Sequence, residues 1–184
     1  MIKYAKSTIF QNQRIFGLTD FENIKCSKNP FIKIINESNN IKYVININNN
    51  EKKYSPEEIL EDNLQYIKNN IDIYTKKKEM KKTIITYPQY LNKTQQETII
   101  KKAEKVGFKN IKLIKVSEAS AIGYKSIIRS NDEKKVIIFN LGGGTFEVSI
   151  VKINGNKHEI LSSLCLNDLG GEDFHEILMK YVLE

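Results

Sequence analysis

The hydrophobic positions from Thr83 onward predict strands and helices in alternation. Short apolar runs at residues 83–87, 111–114 and 136–139 are typical of strands. Apolar residues at helical spacing follow the first two runs, and we expect further helices there and from Glu172 onward. The order is β-α-β-α, then a strand meander, then a final helix. This order indicates an α/β layer fold with a mixed sheet.

The first half of the chain carries weaker patterns. We expect a short helix or turn in residues 1–20, and strands within residues 31–48 separated by a turn at 38–40. Ser55-Pro56-Glu57-Glu58 is a capping box that predicts a helix start. The apolar stripe of that helix is Leu60, Leu64, Ile67 and Ile71.

A second capping box at Thr94-Gln-Gln-Glu97 predicts the next helix start, and Gly107 predicts its end. The lysine-rich residues 76–82 are expected to form a solvated helix end or loop. The polar residues 130–135 are the best candidate boundary between two lobes. The sequence therefore predicts a partial first lobe over residues 1–129 and the start of a second over residues 130–184.

Chain length, net charge and cysteine count restrict the kinds of partner and the compartment that we expect for this protein. The 184 residues can bury one core or two small ones, and the net charge of +7 predicts weak attraction to polyanions. Lysines on solvated faces explain that charge more simply, so nucleic acid ranks last among the partners. Cys26 and Cys165 are isolated, which favours packing roles in a reducing compartment over a disulfide or metal site. We find no secretion signal or membrane-spanning run and expect a cytoplasmic protein.

The glycine-rich stretch between residues 136 and 153 is the strongest candidate for chemistry. Residues 136–139 form a continuous apolar run, as in a strand buried on both faces. Gly142, Gly143 and Gly144 separate it from a second strand, and their backbone can approach a ligand closely. Consecutive N–H groups in such a turn can hold an anion, and Thr145 adds a hydroxyl. The alternative is a tight hairpin without a ligand. The pattern is neither a P-loop nor a dinucleotide-binding turn.

The residues around these glycines extend the pattern. Asn140-Leu-Gly-Gly-Gly-Thr-Phe-Glu-Val-Ser, followed by Leu169-Gly-Gly-Glu-Asp-Phe174, resembles the phosphate-binding signature of the seventy-kilodalton heat-shock chaperone family (heat-shock protein 70). Residues 8–17, 54–59 and 86–95 resemble further segments of that family. The resemblance implies an incomplete actin-like ATPase fold, also called ribonuclease H-like, with mixed sheets and flanking helices. It also implies a role in protein folding and the stress response.

The resemblance assigns roles position by position. It implies nucleotide phosphate binding by the residues of the two glycine turns: Gly142, Gly143, Gly144, Thr145, Gly170 and Gly171. The family's catalytic lysine falls on Gln13 and its metal-orienting aspartate on Asn140. A catalytic glutamate falls on Val116, and Glu118 replaces it only through two compensating alignment slips.

Further family features are changed or missing. The family's switch proline matches Pro88, but the associated arginine is Gln96, and its first phosphate loop has no counterpart here. The helix dipole explains Glu172 and Asp173 better than a metal does. His158 and His175 are expected at the surface. We therefore assign no confident catalytic residue and no metal ligand.

These substitutions predict a truncated, divergent family member. ATP or ADP remains a candidate ligand with weak binding, the case for Mg²⁺ is poor, and hydrolysis is expected to be lost, as in a pseudo-ATPase. The alternative is a nucleotide-free interaction module that pairs with co-chaperones or full-length chaperone relatives. A further alternative is one piece of a larger active protein.

Overall fold

The computed structural model describes residues 7–16, 18, 32–38, 40–47, 50–128 and 132–183. Within these ranges the elements, in chain order, are α1 (Asn12–Ile15), β1 (Lys33–Glu37), β2 (Asn40–Ile47), β3 (Asn50–Tyr54), α2 (Pro56–Tyr74), β4 (Thr83–Tyr87), α3 (Lys93–Lys105), β5 (Ile111–Lys115), α4 (Val116–Ile128), β6 (Lys134–Leu141), β7 (Phe146–Asn154), β8 (Lys157–Leu166) and α5 (Gly171–Leu183). The α/β class predicted from the pattern is confirmed.

The chain divides into two compact units. The first comprises Met1–Thr83 with Lys93–Ile111, and the second comprises Ile84–Asn92 with Lys112–Glu184. The lobe boundary near residue 130 stays a prediction, since residues 129–131 lie outside the described ranges, as does Cys26. Among the described helices, none combines the length and apolar character needed to cross a membrane.

The first unit is built on the antiparallel sheet β1-β2-β3. Its central strand β2 supplies most of the buried core, together with one residue from α1 and the residue just before β1. The members of this core are Ile15, Ile32, Ile41, Tyr43 and Ile45. The turn before β2 is the predicted one, and Ser38 in it has φ 53°. Strand β3 was not predicted, because Glu51, Lys52 and Lys53 are exposed and carry no apolar pattern.

Helices α2 and α3 pack against each other in the first unit. The capping box of α2 is confirmed: the Glu58 N–H donates to Ser55 Oγ at 3.2 Å, and the Ser55 N–H donates to Glu58 Oε2 at 2.7 Å. The predicted apolar stripe is only partly right, because Leu64 is buried but Ile67 is 47% exposed.

Helix α3 begins at Lys93, two residues before the first helical position that a cap at Thr94 predicts. The capping box at Thr94 is therefore wrong, because Thr94 is itself helical and its carbonyl accepts a hydrogen bond from Thr98 Oγ1 at 2.9 Å. Gly107 does stop the helix: its φ is +95°, and the Phe108 N–H that follows donates to Ala103 O at 3.0 Å. A left-handed residue just past the last turn is a common helix end.

The second unit contains the antiparallel meander β6-β7-β8. Helix α4 packs on one face, where Ala121, Val151 and Ile153 are buried. The predicted burial of β6 on both faces is wrong: its exposure alternates, and Ile137 and Phe139 are 72% and 67% exposed. Strand β6 begins at Lys134, so the polar connector ends before residue 134.

Candidate phosphate-binding turns

The glycine stretch forms the predicted hairpin. Strands β6 and β7 pair up to Leu141 opposite Phe146, so residues 142–145 make the connection. The Gly142 N–H donates to Thr145 O at 2.9 Å and closes the turn. Gly144 is buried and Gly143 is exposed. A Cβ added at Gly143 would meet nothing within 4 Å, so the backbone here is open to an approaching ligand.

The turn before α5 is in direct contact with this hairpin. The Gly171 N–H donates to Gly142 O and the Glu172 N–H donates to Gly143 O, both at 2.9 Å. A Cβ on Gly170 would lie 2.5 Å from Gly143 O, which no real side chain could tolerate. The fold therefore brings together all six glycine-turn residues singled out in the sequence, and Gly170 owes its identity to this close backbone approach.

The first N–H groups of α5 are engaged within the protein. Gly171 and Glu172 donate to the hairpin, and the Asp173 and Phe174 N–H groups both reach Gly170 O, at 3.0 and 3.4 Å. The helix N-terminus thus holds the hairpin instead of presenting these donors to a ligand. Glu172 and Asp173 lie in the first turn, where the helix dipole favours acidic side chains.

A row of polar residues lies across the sheet next to the turn. Asn140, Glu147 and Cys165 are successive cross-strand neighbours, and Glu147 is only 3% exposed. Ser149 Oγ donates to Glu147 Oε1 at 3.4 Å. Burial, and then the negative charge of Glu147, raise the pKa of the Cys165 thiol. Sequence reasoning did not single out Glu147. Its place opposite Asn140, on the face that also carries Val151 and Ile153, was the available signal.

The three positions to which the sequence resemblance assigns the family's catalytic residues lie on different elements. Gln13 is an exposed residue of α1 in the first unit. Val116 is the half-buried first residue of α4, and Asn140 is half-buried in β6. None of these three side chains carries a charge. Within the described ranges, no three His, Cys, Asp or Glu side chains are grouped closely enough to hold a metal ion.

Glu118 caps the start of α4. Its Oε2 accepts the Lys115 N–H at 3.1 Å, and its Oε1 lies 3.9 Å from His158 Nε2. Burial, with a smaller effect from the Glu118 charge, raises the pKa of Tyr87. The prediction of surface histidines holds for His175, whereas His158 is half-buried beside this carboxylate.

Comparison with known proteins gives the family. The family profile described as Hsp70 protein matches residues 1–184. This chain belongs to the Hsp70 family. The chaperone protein dnaK of Trieres chinensis is 29% identical to it over 180 residues, which is 97% of this chain and 28% of that relative. This Hsp70 family chain thus spans little more than a quarter of the relative's length, and it corresponds to part of the family's ATPase domain.

Proposed function

We propose that this chain binds the phosphate groups of ATP or ADP weakly at the exposed edge of the β6–β7 turn and no longer hydrolyses them. The observation that carries the proposal is the pair of interlocked glycine turns. Gly143 leaves its backbone open, and the Gly171 and Glu172 N–H groups fix the turn from behind. A fixed backbone turn without Cβ atoms is a suitable site for an anion.

The proposed contacts with phosphate come from the hairpin side of the two turns. Gly143, Gly144 and the Thr145 hydroxyl form that side, and Gly170 and Gly171 shape it because their backbone packs against Gly143. Glu172 lies in the first turn of α5 beside the same glycine turn, and its side chain is exposed. The negative charge of this carboxylate repels an anion bound there. These features support weak binding.

We expect hydrolysis to be lost because the side chains near the turn lack the charged groups that the reaction needs. Phosphoryl transfer needs a metal ion and positive charge near the phosphates. The row behind the turn offers one carboxylate, Glu147, which is buried and bonded to Ser149, beside the neutral amide Asn140. The family's cation position is the neutral Gln13. We therefore propose a pseudo-ATPase that acts in the cytoplasm, and we expect phosphate release no faster than the uncatalysed background.

Nucleotide titration tests the binding half of the proposal. Thermal unfolding with ADP or ATP at about 100 times the dissociation constant should show roughly 2.7 kcal/mol of added stability. Gly143→Ala should weaken the binding of labelled ADP at least about tenfold, because the added methyl group would occupy the open space where the phosphate approaches the backbone N–H, and losing that hydrogen bond costs about 1.4 kcal/mol or more. Gly123→Ala is the matched control, since a Cβ there also meets nothing within 4 Å and Gly123 belongs to α4 and not to either glycine turn.

Phosphate release from ATP and Mg²⁺ tests the other half. Turnover comparable to that of an active relative would refute the pseudo-ATPase. Asn140→Asp restores one carboxylate but leaves Gln13 and Val116 unchanged, and we expect it to remain inactive. An unchanged unfolding temperature at saturating ADP and ATP would instead refute nucleotide binding. That result would favour the nucleotide-free interaction module, which the exposed apolar side chains of α5 independently support.

A further inference from the structure

The β6-β7-β8 sheet carries an exposed apolar face on the side opposite α4. Directly paired residues of antiparallel strands share a face, so Ile137 lies beside Ile150, Phe139 lies beside Val148, and Val148 in turn lies beside Leu164. Phe139 and Leu164 are 67% and 54% exposed. We call this surface the outer sheet face. Soluble monomers rarely leave a contiguous apolar patch of this kind in water.

Helix α5 carries a second exposed apolar surface in the same unit. Phe174, Ile177, Leu178 and Tyr181 follow helical spacing and form one stripe, which we call the α5 stripe. Ile177 is 64% exposed, and no described residue of α5 is buried. The hydrogen bonds from Gly171 and Glu172 to the hairpin anchor the helix at its start. With this anchor, the α5 stripe and the outer sheet face both remain exposed in one protomer.

We propose that a second copy of this chain covers both surfaces. The α5 stripe of one protomer packs on the outer sheet face of the other, and the reverse contact follows from two-fold symmetry. A helix stripe on a sheet face is one of the standard two-layer packings of protein cores. This proposal concerns surfaces away from the glycine turns, and it does not depend on nucleotide binding.

The area available is sufficient for a stable dimer. Five large apolar side chains of the outer sheet face are between 41% and 72% exposed, which amounts to on the order of 500 Å² of surface. These five side chains are Ile137, Phe139, Leu141, Ile150 and Leu164. The α5 stripe offers a similar area. Two reciprocal contacts would bury roughly 1,000 Å² per protomer, which exceeds the ~800 Å² per partner of a standard interface.

The net charges of helix α5 and of the β6-β7-β8 sheet are also complementary. Helix α5 contains three acidic residues and one lysine, whereas the three strands contain four lysines and two glutamates. Lys135 and Lys152 are paired on the outer sheet face, beyond Ile137. The helix and the sheet therefore have opposite net charges, which favours this pairing over sheet-to-sheet association in a chain of net charge +7.

Sedimentation equilibrium of the full 184-residue chain, across the micromolar range, tests the dimer. We expect a monomer–dimer equilibrium that Phe139→Glu and Ile177→Glu each weaken at least about 30-fold, the effect of losing a central interface residue. Ile73→Glu is the matched control, because Ile73 is 78% exposed on α2, outside both surfaces. A monomer at every concentration overturns the proposal, as does a dimer that either interface variant leaves intact.

Mixing the two variants tests the geometry. Each variant alone should dimerise at least about 30-fold more weakly than the unaltered chain, since both helix-on-sheet contacts in its homodimer contain a glutamate. An equimolar mixture should associate more strongly than either variant alone, because its heterodimer keeps one intact contact, between the unaltered α5 stripe of Phe139→Glu and the unaltered outer sheet face of Ile177→Glu. A mixture that associates no more strongly than the separate variants overturns the helix-on-sheet arrangement. Circular dichroism checks the fold of each variant. Should Phe139→Glu unfold through loss of its ring contact with Phe146, Ile137→Glu, at a 72% exposed position, replaces it.

Discussion

At the scale of single residues, a buried hydrogen-bond chain connects three elements of the first unit. Tyr43 Oη donates to Asn12 Oδ1 at 2.9 Å, and Asn12 Nδ2 donates to the Pro56 carbonyl at 3.0 Å. Tyr43 is 1% exposed, and burial raises the pKa of its hydroxyl well above the usual value. The chain links α1, β2 and the first turn of α2, which no local sequence pattern could indicate.

Removing one hydroxyl should therefore destabilise the first unit. Tyr43→Phe leaves Asn12 Oδ1 buried without its donor, and we expect a loss of about 1–3 kcal/mol in the free energy of unfolding. Tyr74→Phe removes the same group from a side chain that is 90% exposed and should change little. Urea unfolding of the two variants makes the comparison. Equal stability in both would show that the buried hydroxyl contributes nothing.

Gly170 allows a second test at the same scale. A methyl group at Gly170 would collide with the Gly143 carbonyl and separate the two turns. Gly170→Ala should lose the two hydrogen bonds from Gly171 and Glu172, at about 1 kcal/mol each, and should also lose any ADP binding. Gly143→Ala should keep its stability, because its Cβ has open space, and should lose affinity alone. Thermal unfolding would contradict this account if Gly170→Ala melted like the unaltered chain.

At the scale of elements, the capping box of α2 makes the sharpest prediction. Ser55→Ala removes the hydroxyl that accepts the Glu58 N–H, and we expect a loss of about 1 kcal/mol in unfolding free energy. Ser55→Asp should restore most of it, because aspartate caps equally well. Ser120→Ala, at an exposed position inside α4, is the matched control. Chemical denaturation compares the three variants, and a Ser55→Ala midpoint equal to that of the control would be the contrary result.

The same scale shows what a sequence can and cannot predict. The α2 box was readable because both partners lie within four residues, and the glycine hairpin because apolar runs flank it. Strand β3 was not readable, since Glu51, Lys52 and Lys53 show no alternation and its pairing with β2 defines it. The run at 136–139 suggested burial on both faces, but among the described elements α4 packs on one face of this sheet, and Ile137 and Phe139 on the other face are exposed. The hydrophobic pattern of a strand shows which side chains could be buried. Whether they are buried depends on which other elements pack against the strand.

At the scale of the whole molecule, ion pairs make stability depend on acidity. Hydrogen bonds from Lys53 and then Lys42 lower the pKa of Glu37 to about 2. Lys102 and Lys105 lower the pKa of Glu61, and Lys109 lowers that of Glu79. A carboxylate with a depressed pKa in the folded chain stabilises it fully above the ordinary value near 4.5 and loses that effect as the pH falls toward the folded pKa.

We therefore expect the unfolding temperature to be constant from neutral pH to about 5 and to fall steadily from there toward about pH 2. Neutralised carboxylates also leave the 29 basic residues repelling one another, which adds to the decline. Replacing Glu37, Glu61 and Glu79 together by glutamine should lower stability at neutral pH and flatten the acid decline. Replacing Glu97, Glu104 and Glu159 by glutamine is the matched control and should leave the slope unchanged, because these exposed glutamates lie outside the ion pairs named above. If the unfolding temperatures of the two triple variants fell equally with decreasing pH, these ion pairs would not be the cause of the decline. General charge repulsion would affect both variants equally.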